Sequence, residues 1–452
     1  MKQEKISTKK LLAWFDKNLL VYLAGFLLLF IPLYPKLPLF DIVPGYIVRV
    51  RIEDFLILLT ILVWFIQVLR KKVVWKNPLS NIVIAYLVFA LLSTLSALFI
   101  TKNIPLELLH AGKMYLHFFR NIEYFSLLFI FYSAIKTKKH SRVMIVISTF
   151  TMLLVSLYGY GQKYLYWPVY STMNREFAKG WRLYLTEHAR VPSTFGGHYD
   201  LAAYTMVALT VILALFFLVK NKWLKVLFGI TYAAGFWLLI LTASRTSFIA
   251  YLVSITTLMF IFIFAKSWKW AIPRWFMVMF LSMFVMLSFG DLSDRFTQVL
   301  GLEKLKEKYT NLAFLPKIRK PNNAISIEEA TEIAKVTAKS DQPPSTTNPN
   351  LPGDVYEDIP LPIDDGEGGV TIVSRTFSDN AYKYGLSAAI RFDALWPRAW
   401  AGFMANPLLG SGYSSLTKET VQQFTEAEST DNNFLRTLGE TGILGFVLFM
   451  EP

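Results

Sequence analysis

Residues 199–265 read YDLAAYTMVALTVILALFFLVKNKWLKVLFGITYAAGFWLLILTASRTSFIAYLVSITTLMFIFIFA, and this stretch decides the fold class of the chain. It contains three apolar runs, at 199–219, 224–242 and 246–265, separated by a short basic stretch and by a tight turn. A helix needs about 20 residues to cross the ~30 Å hydrocarbon core of a membrane, and each run has that length. The stretch therefore predicts three consecutive transmembrane helices.

Similar apolar runs recur along most of the 452 residues, of which 54% are hydrophobic and 16% aromatic. This composition excludes a water-soluble domain with one compact core. We predict an all-α fold, a polytopic transmembrane helical bundle with about ten visible spans. The spans are predicted at 18–35, 53–69, 79–100, 117–135, 143–165, 199–219, 224–242, 246–265 and 272–290, with a tenth starting near 432.

The positive charge of the chain, +14 in total, is concentrated in alternate loops. Cytoplasmic loops of membrane proteins carry an excess of Lys and Arg, so we predict a cytoplasmic N-terminus and outer loops in between. Because the charge forms no single patch, we expect the lipid bilayer and not nucleic acid as a partner. The basic residues after the second, fourth, sixth and eighth spans are Arg70, Lys71, Lys72 and Lys76; Lys136, Lys138, Lys139 and Arg142; Lys220, Lys222 and Lys225; and Lys266, Lys269 and Arg274.

This topology divides the chain into three parts. Residues 1–290 form the transmembrane bundle with nine spans, and residues 291–430 form a large extracytoplasmic loop. Residues 431–452 start the last visible span, and we expect the natural chain to continue past Pro452, because a span normally exits into a polar loop.

The large outer loop is itself composite. Residues 321–375 are rich in Pro, Gly, Ser, Thr and acidic side chains, and they are predicted to be disordered. The pattern at 380–405 predicts an amphipathic helix that lies along the membrane surface. Pro397 must kink this helix or mark a second start.

The chain has no cysteine and only five scattered histidines. Disulfides and thiolate metal sites are therefore excluded. We expect neither a metal centre nor a cofactor.

Arginines collect on the predicted outer side. Arg182 and Arg190 lie in one outer loop, Arg245 lies in the tight turn LTASR, and Arg391 and Arg398 share one face of the surface helix. Arginine suits bidentate recognition of phosphate, so several together above a bilayer indicate a lipid-diphosphate site. The alternative is that they extend to lipid headgroups. The short turn around Arg245 favours function at that position.

The segment RVPSTFGGHYDLAAY, residues 190–204, places a small-residue turn and His198 at the mouth of a span. Glycines allow close approach of a ligand, and the first turn of a helix offers free N–H groups to an anion. His198 is a candidate base, and the alternative is a helix cap or an interface residue.

The segment TDNNFLRTLGETGILG, residues 430–445, leads into the last run. Asp431 and Asn432 are candidates for the helix N-cap, and Arg436 and Glu440 are one turn apart. The functional alternative is that Asp431 faces the mouth of the bundle and accepts a proton from an attacking sugar hydroxyl. Spacing alone leaves the two open.

Charged residues also occur inside the fourth span, in LHFFRNIEYF at 116–125. Arg120 and Glu123 share a helical face, and charges within a span usually pair or face a polar cavity. We expect an internal pair first and a cavity-lining role second. Arg182, Arg398 and Asn432 are the other candidates for lining such a cavity.

Together these segments resemble the O-antigen ligase and O-antigen polymerase superfamily of bacterial membrane glycosyltransferases. The resemblance rests on residues 190–204, on LTASRTSFIAYL, on IRFDALWPRAWAGFMANPLLGSGYSSL and on DNNFLRTLGETGILG. It implies a multi-pass protein of the bacterial cytoplasmic membrane that transfers glycan from an undecaprenyl-diphosphate carrier, on the extracytoplasmic side and without a metal. It further implies that Arg190, Arg245 and Arg391 hold the diphosphate.

One departure from the family bears on the type of transfer. Ligases carry His-Asn at the start of the last motif, where this chain has Asp431 and Asn432. This departure favours a polymerase, or a ligase that uses a carboxylate base. Of the two, we predict polymerisation of surface polysaccharide repeat units, with a growing glycan as acceptor. The alternatives are transfer of the finished glycan to lipid A core or to protein, and, from another class, transport of polysaccharide precursors.

Overall fold

The computed structural model describes residues 8–42, 49–104, 106, 108–173, 177–186, 189–288, 361–364, 370–373, 390–413, 415–416 and 432–451. The chain divides into two compact units, Met1–Phe296 with Arg398–Pro452 and Thr297–Pro397.

The first unit is helical. Its helices are α1 (Thr8–Leu33), α2 (Ile52–Leu69), α3 (Ser80–Leu95, continued by a π-helical turn at Ser96–Ile100), α4 (Leu108–Ala134), α5 (Lys138–Tyr164), α6 (His198–Leu218), α7 (Lys222–Leu241), α8 (Arg245–Ala265) and α9 (Trp268–Ser288). Near the end of the chain come α10 (Trp396–Ala405), whose first two residues belong to the second unit, and α11 (Asn433–Met450). A 3₁₀ turn, Phe177–Lys179, lies between α5 and α6.

Seven of these helices are long and apolar enough to cross a membrane: α2, α3 with its π-helical turn, and α5 to α9. This confirms a multi-pass helical membrane protein, but the predicted count of about ten spans is not confirmed. The apolar part of α1, Asn18–Leu33, is shorter. Both α4 and α11 carry charged side chains within the helix, and these lower their hydropathy.

The helices pack in two groups that meet at α1. Helices α5 to α9 form one group, in which α7 packs on α5 and α6, and α8 on α6 and α9. Leu209, Leu239, Phe248 and Ile255 are completely buried in its core. The other group contains α1 to α4, and α11 packs on α3. Helix α1 contacts α2, α4 and α5, and so joins the groups.

Contacts between helix ends distinguish two ends of the bundle. At the basic end, Asp16 forms ion pairs with Arg70 and Lys72. Hydrogen bonds from Lys72 and Arg70 hold the pKa of the Asp16 carboxyl well below its usual range, and the bond from Lys72 has the larger effect. The Lys136 Nζ donates to the Lys72 carbonyl at the same end. Which side of the membrane this end faces stays a prediction.

The opposite end is closed by the loop between α5 and α6. Thr194 donates its hydroxyl proton to the Pro32 carbonyl at 2.5 Å, and the Val191 N–H donates to the Leu241 carbonyl at 3.2 Å. The amide of Gln162 donates to the Ser193 carbonyl at 2.8 Å. These contacts hold the loop over the ends of α1, α5 and α7.

Among its described residues, the second unit contains two short antiparallel strands, β1 (Leu361–Asp364) and β2 (Val370–Val373), paired from Leu361 with Val373 to Asp364 with Val370. Both strands fall in the segment 321–375 that is predicted to be disordered, and its other residues lie outside the described part of the chain. Of the predicted surface helix at 380–405, a π-helical segment at Ile390–Leu395 and α10 are described. Pro397 is the second residue of α10 and lies where the π-helical segment passes into the α-helix.

Helix α11 is not a straight rod, in contrast to the span predicted from residue 432. Gly442 has φ 65° and ψ −167°, so the helix breaks there into two short arms. In a straight helix, Phe434 and Phe449 would lie about 22 Å apart along the axis. Their ring centroids are 6.1 Å apart instead. The arms therefore fold back sharply toward each other.

The loop that follows α10 fills this break. The N–H groups of Ser411 and Gly412 donate to the carbonyls of Gly439 and Glu440, each at 2.9 Å. In the second arm, the Ile443 N–H donates to the Pro407 carbonyl at 2.9 Å. Backbone groups at the break are thus hydrogen-bonded inside the protein, as buried N–H and carbonyl groups require. We call this arrangement the glycine crossing, residues 406–412 against 439–444.

The glycine crossing admits no side chain at its two tightest points. A Cβ on Gly442 would lie 2.4 Å from the Leu408 carbonyl oxygen, and a Cβ on Gly410 would lie 2.5 Å from the Glu440 carbonyl. Both glycines also have positive φ. The segments NPLLGSGY and GETGILG can therefore pack against each other only because glycines occupy these positions.

Candidate active site

A cavity of about 520 Å³ lies at the end of the bundle opposite the basic end. It opens among the N-terminus of α2, helices α3 and α4, the loop after α5, and the two arms of α11. We call it the arginine cavity. Its lining side chains are Arg51, Tyr86, His117, Arg120, Asn121, Tyr124, Thr172, Tyr413, Asn433, Arg436, Thr437, Glu440 and Phe449.

The start of α2 fixes Arg51 in the cavity wall. Arg51 is the N-cap residue, and its N–H donates to the Asp54 carboxylate at 2.9 Å. Its guanidinium pairs with Glu53 at 3.1 Å, and Lys36 pairs with the same carboxylate at 2.5 Å. Burial lowers the pKa of Lys36, and the attraction of Glu53 opposes that effect. Two acidic residues in the first turn of α2 therefore hold cations at the helix N-terminus.

Arg120 projects from the middle of α4 into the same cavity. It pairs with Asp54 at 2.9 Å and more distantly with Glu123 at 3.8 Å. The sequence predicts a pair with Glu123 or a cavity-lining role. In the structure Arg120 lies near Glu123 and lines the cavity, but its closer partner, Asp54, comes from another helix. Asp54 thus bonds both to the backbone of Arg51 and to the side chain of Arg120.

Arg436 lies on the first arm of α11. Its Nε donates to Glu440 at 3.1 Å, as the one-turn spacing predicts, and Glu440 is almost fully buried. The side chain of Arg436 is 33% exposed, and its two terminal nitrogens make no hydrogen bond to the residues that the structure describes. The Glu440 carbonyl also accepts hydrogen bonds from Ser93 and from the Gly412 N–H. The glycine crossing therefore anchors the arm that presents Arg436.

Asn432 caps this arm. Its side-chain oxygen accepts from the N–H groups of Phe434 and Leu435, at 3.0 and 3.1 Å. The lining of the cavity includes the next residue, Asn433. Asp431, the predicted base, lies outside the described residues.

Aromatic side chains form the remaining wall. The hydroxyls of Tyr86 and Tyr413 are 2.7 Å apart, and both residues are buried. Tyr86 also packs on Phe449, with ring centroids 6.2 Å apart. Tyr124 lies one turn from Arg120 on α4. Flat apolar faces beside hydroxyl groups match the two kinds of surface that a sugar ring presents.

Three arginines and one glutamate line the cavity, and two more carboxylates, those of Glu53 and Asp54, lie directly behind them. Each arginine is also held by a carboxylate, in the pairs Arg51 with Glu53, Arg120 with Asp54, and Arg436 with Glu440. Such pairing reduces the net field, but it fixes the guanidinium groups in place before a ligand arrives.

Residues 230–450 match the family model described as O-antigen ligase. The match confirms the resemblance that the sequence shows to the O-antigen ligase and O-antigen polymerase superfamily, whose members are glycosyltransferase-like membrane enzymes. No curated protein and no solved structure matches the chain.

The O-antigen ligase match begins within α7 and ends at the last residue of α11. It includes Arg245, Arg391 and Arg436, whereas Arg120 and Arg190 precede it. The arginine cavity is therefore built from both parts of the chain, with the two arms of α11 from the family domain and α2 to α4 from the residues before it.

The predicted residues Arg190 and His198 meet outside the cavity lining. An Arg190 Nη lies 2.6 Å from His198 Nε2 and 3.0 Å from the Tyr199 hydroxyl, and its guanidinium stacks on the Tyr199 ring. His198 is the first residue of α6 and is largely buried. This loop joins the cavity through Thr172, whose N–H donates to the Gly196 carbonyl at 2.8 Å.

The other predicted arginines take separate positions. Arg245 is the first residue of α8, after the N-cap Ser244, and it makes no hydrogen bond or ion pair within the described residues. Hydrogen bonds to Tyr170 and Tyr184 raise the pKa of Arg182, which is exposed. Arg398 lies on α10, and Arg391 lies in the π-helical segment of the second unit. Their functional roles stay predictions.

Sequence reasoning missed Arg51, His117 and the tyrosine pair. The signal for Arg51 was the run of charges directly before an apolar span, in VRIEDFLIL. Polar residues at helical spacing along α4, His117, Arg120 and Asn121, gave a second signal. The pair of Tyr86 and Tyr413 spans more than 300 residues of sequence, so no local pattern could reveal it.

Within the described residues, no group of three or more His, Asp or Glu could hold a metal ion.

Proposed function

We propose that this protein transfers a glycan from an undecaprenyl-diphosphate carrier to a sugar hydroxyl at the outer face of the cytoplasmic membrane, and so polymerises surface polysaccharide. The observation that carries the proposal is the arginine cavity, which has cationic and aromatic walls in a chain with an O-antigen ligase domain.

The donor diphosphate is proposed to bind between Arg120 and Arg436, with Arg51 beside them. The terminal nitrogens of Arg436 supply donors for phosphate oxygens. As the bond between the anomeric carbon and the phosphate oxygen breaks, that oxygen takes the electron pair, and fixed cations stabilise the departing diphosphate. Arg190, Arg245 and Arg391, which the family resemblance assigns to the diphosphate, stay candidates for the same role.

The acceptor sugar is proposed to lie against Tyr86, Tyr413 and Phe449. Its hydroxyl oxygen attacks the anomeric carbon, and a base takes the hydroxyl proton. Asp431 is the proposed base, since it directly precedes the Asn432 cap of the arm that carries Arg436. His198 is the second candidate. The step needs no metal in this scheme, because the arginines neutralise the leaving group.

The choice of acceptor separates polymerisation from ligation. A carboxylate at position 431, where ligases carry histidine, favours a growing glycan as acceptor over lipid A core or protein. A strain lacking the gene would show the difference. Short glycan on the carrier supports a polymerase, whereas long glycan that stays on the carrier supports a ligase.

Reconstituted protein tests the transfer reaction directly. Liposomes containing the wild type and an undecaprenyl-diphosphate-linked oligosaccharide should release undecaprenyl diphosphate and form longer glycan. Arg436→Ala should lose both products, while Arg142→Ala, an exposed arginine at the basic end, should keep them. Equal product from Arg436→Ala and wild type would contradict the proposal. Arg245→Ala and Arg391→Ala test the remaining family candidates in the same assay.

Transport of polysaccharide precursors is a second candidate function, because α11 is a broken helix of the kind that lines substrate sites in transporters. Transporters built from repeats carry such breaks in matching halves. Movement of lipid-linked glycan across proteoliposomes without any new glycosidic bond would favour transport over transfer.

A further inference from the structure

A second cavity, of about 540 Å³, lies between α1 and α5 and is separate in its lining from the arginine cavity. One face of α1 lines it, at Val21, Tyr22, Gly25, Phe26 and Leu29, and one face of α5 lines it, at Val143, Met144, Val146, Ile147 and Phe150. We call it the α1–α5 groove.

The groove is open to the surroundings of the bundle along its length. Tyr22, Phe26, Val143 and Phe150 each expose between 45 and 50% of their surface. Gly25 lets the two helices come close at its floor, since a Cβ there would lie 3.2 Å from Ile147 Cδ1. The groove is therefore a shallow apolar channel that would face lipid chains in a membrane.

One end of the groove is polar and cationic. Asn18, Lys139 and His140 line it there, and no acidic residue in the described part of the chain does. Lys138, Lys139 and Arg142 are exposed and form no ion pair among the residues that the structure describes. The nearest acidic side chain of α1 in the described part, Asp16, is already paired with Arg70 and Lys72. The positive charge at this end is thus not neutralised by these neighbours.

The length of the groove matches one membrane leaflet. From Lys139 to Phe150 the helix rises about 16 Å at 1.5 Å per residue. The hydrocarbon core of a bilayer is about 30 Å thick, so one leaflet contributes about half of that. A lipid whose headgroup meets Lys139 would therefore place its chains along the whole groove.

We propose that the α1–α5 groove binds a phospholipid with an anionic headgroup, from the leaflet at the basic end of the bundle. The Lys139 ammonium contacts the headgroup, and the apolar faces of α1 and α5 contact the acyl chains. This site does not depend on the transfer reaction.

The test measures lipid binding to the purified full-length protein in detergent by native mass spectrometry. The probes are phosphatidylglycerol and phosphatidylcholine with identical acyl chains, and a polyprenyl phosphate as a third lipid. The wild type should retain phosphatidylglycerol in preference to phosphatidylcholine. Lys139→Ala should weaken phosphatidylglycerol binding about fivefold, the effect of one cation near an anionic headgroup, and leave phosphatidylcholine unchanged.

Two matched variants locate the site. Lys222→Ala removes an exposed lysine from the first turn of α7, also at the basic end, and should bind like the wild type. Val143→Trp fills the groove and should weaken both phospholipids, whereas Val226→Trp, on an exposed position of α7, should not. Equal binding of the two phospholipids, equal losses in the two lysine variants, or unchanged binding in Val143→Trp would overturn the proposal. Preference for the polyprenyl phosphate would overturn the proposed occupant.

Discussion

The arginine cavity and the loop that carries Arg190 lie at the same end of the bundle, but they hold their cations differently. In the cavity, Arg120 and Arg436 are fixed by the carboxylates of Asp54 and Glu440. Arg190 contacts the imidazole of His198 and the hydroxyl of Tyr199 instead. The cavity offers cations that carboxylates fix in place before binding, whereas the contacts of the loop cation, among the described residues, are to an imidazole and a phenol hydroxyl.

This difference suggests different roles. Stabilising a leaving group requires donors already fixed where charge develops. Attracting an anionic headgroup requires only an unneutralised cation. We therefore expect the cavity arginines to act on the transfer rate and Arg190 to act on donor binding. Four variants test this comparison, in order of decreasing effect.

The largest effect is expected from Gly442→Ala, which damages the cavity without touching the loop. Its Cβ would meet the Leu408 carbonyl oxygen at 2.4 Å, and its backbone angles suit glycine alone. The strain costs about 1–3 kcal/mol before the clash is counted. We expect a lower thermal unfolding temperature and no detectable transfer.

Gly229→Ala is the control for this variant, because its Cβ would meet Phe216 at an ordinary 3.4 Å. Normal stability and normal transfer in Gly442→Ala would show that the break in α11 is not needed for the cavity.

Arg436→Ala should lower the maximal transfer rate by about 10²–10³-fold, the effect of removing one donor from a charge-stabilising site. The KM for the lipid-linked donor should change much less. Arg436→Lys should recover part of the rate, because it keeps the charge but loses the planar donors. Steady-state kinetics in detergent or liposomes measure both quantities. If Arg436→Ala changes only the KM for the donor, the cavity acts in donor binding and not in stabilising the leaving group.

Arg190→Ala should raise the KM for the donor about tenfold, the lower end for losing a hydrogen bond to a charged group, and leave the maximal rate nearly unchanged. Tyr199→Phe provides a matched comparison, because it removes a hydrogen-bond partner of Arg190 but keeps the cation. If Arg190→Ala instead lowers the maximal rate as far as Arg436→Ala, the two regions form one site.

Tyr413→Phe should have the smallest effect. It removes one hydroxyl of the pair with Tyr86, worth about 1 kcal/mol, and should raise the KM for the acceptor about fivefold. Tyr232→Phe is the control, because it breaks a similar tyrosine pair with Tyr251 in the core of the bundle. Equal effects of the two variants on the KM for the acceptor would contradict the proposal that the acceptor lies against the aromatic wall.

The sequence predicts the positions of the helices well, because long apolar runs dominate their energetics. The predicted spans at 53–69 and 246–265, for example, correspond to Ile52–Leu69 and Arg245–Ala265. It also predicts the pair of Arg436 with Glu440, which depends only on helical spacing. Such local patterns transfer directly from sequence to structure.

The sequence could not predict the features that depend on contacts between distant segments. GETGILG reads as the interior of a helix, and the break at Gly442 becomes favourable only when residues 407–412 supply its hydrogen bonds. In the same way, Arg120 finds its closest carboxylate on α2 and not one turn away. The cavity lining results from these long-range contacts. For this reason, the sequence alone indicates only the lining residues on α4 and α11.

The central claim is that the donor diphosphate binds in the arginine cavity. The most direct test is a cryo-electron microscopy structure of the protein with a non-transferable polyprenyl diphosphate analogue. The account predicts density for both phosphates within hydrogen-bond distance of Arg120 and Arg436. Density for the diphosphate at Arg190 and Arg245, with the cavity empty of it, would contradict the account.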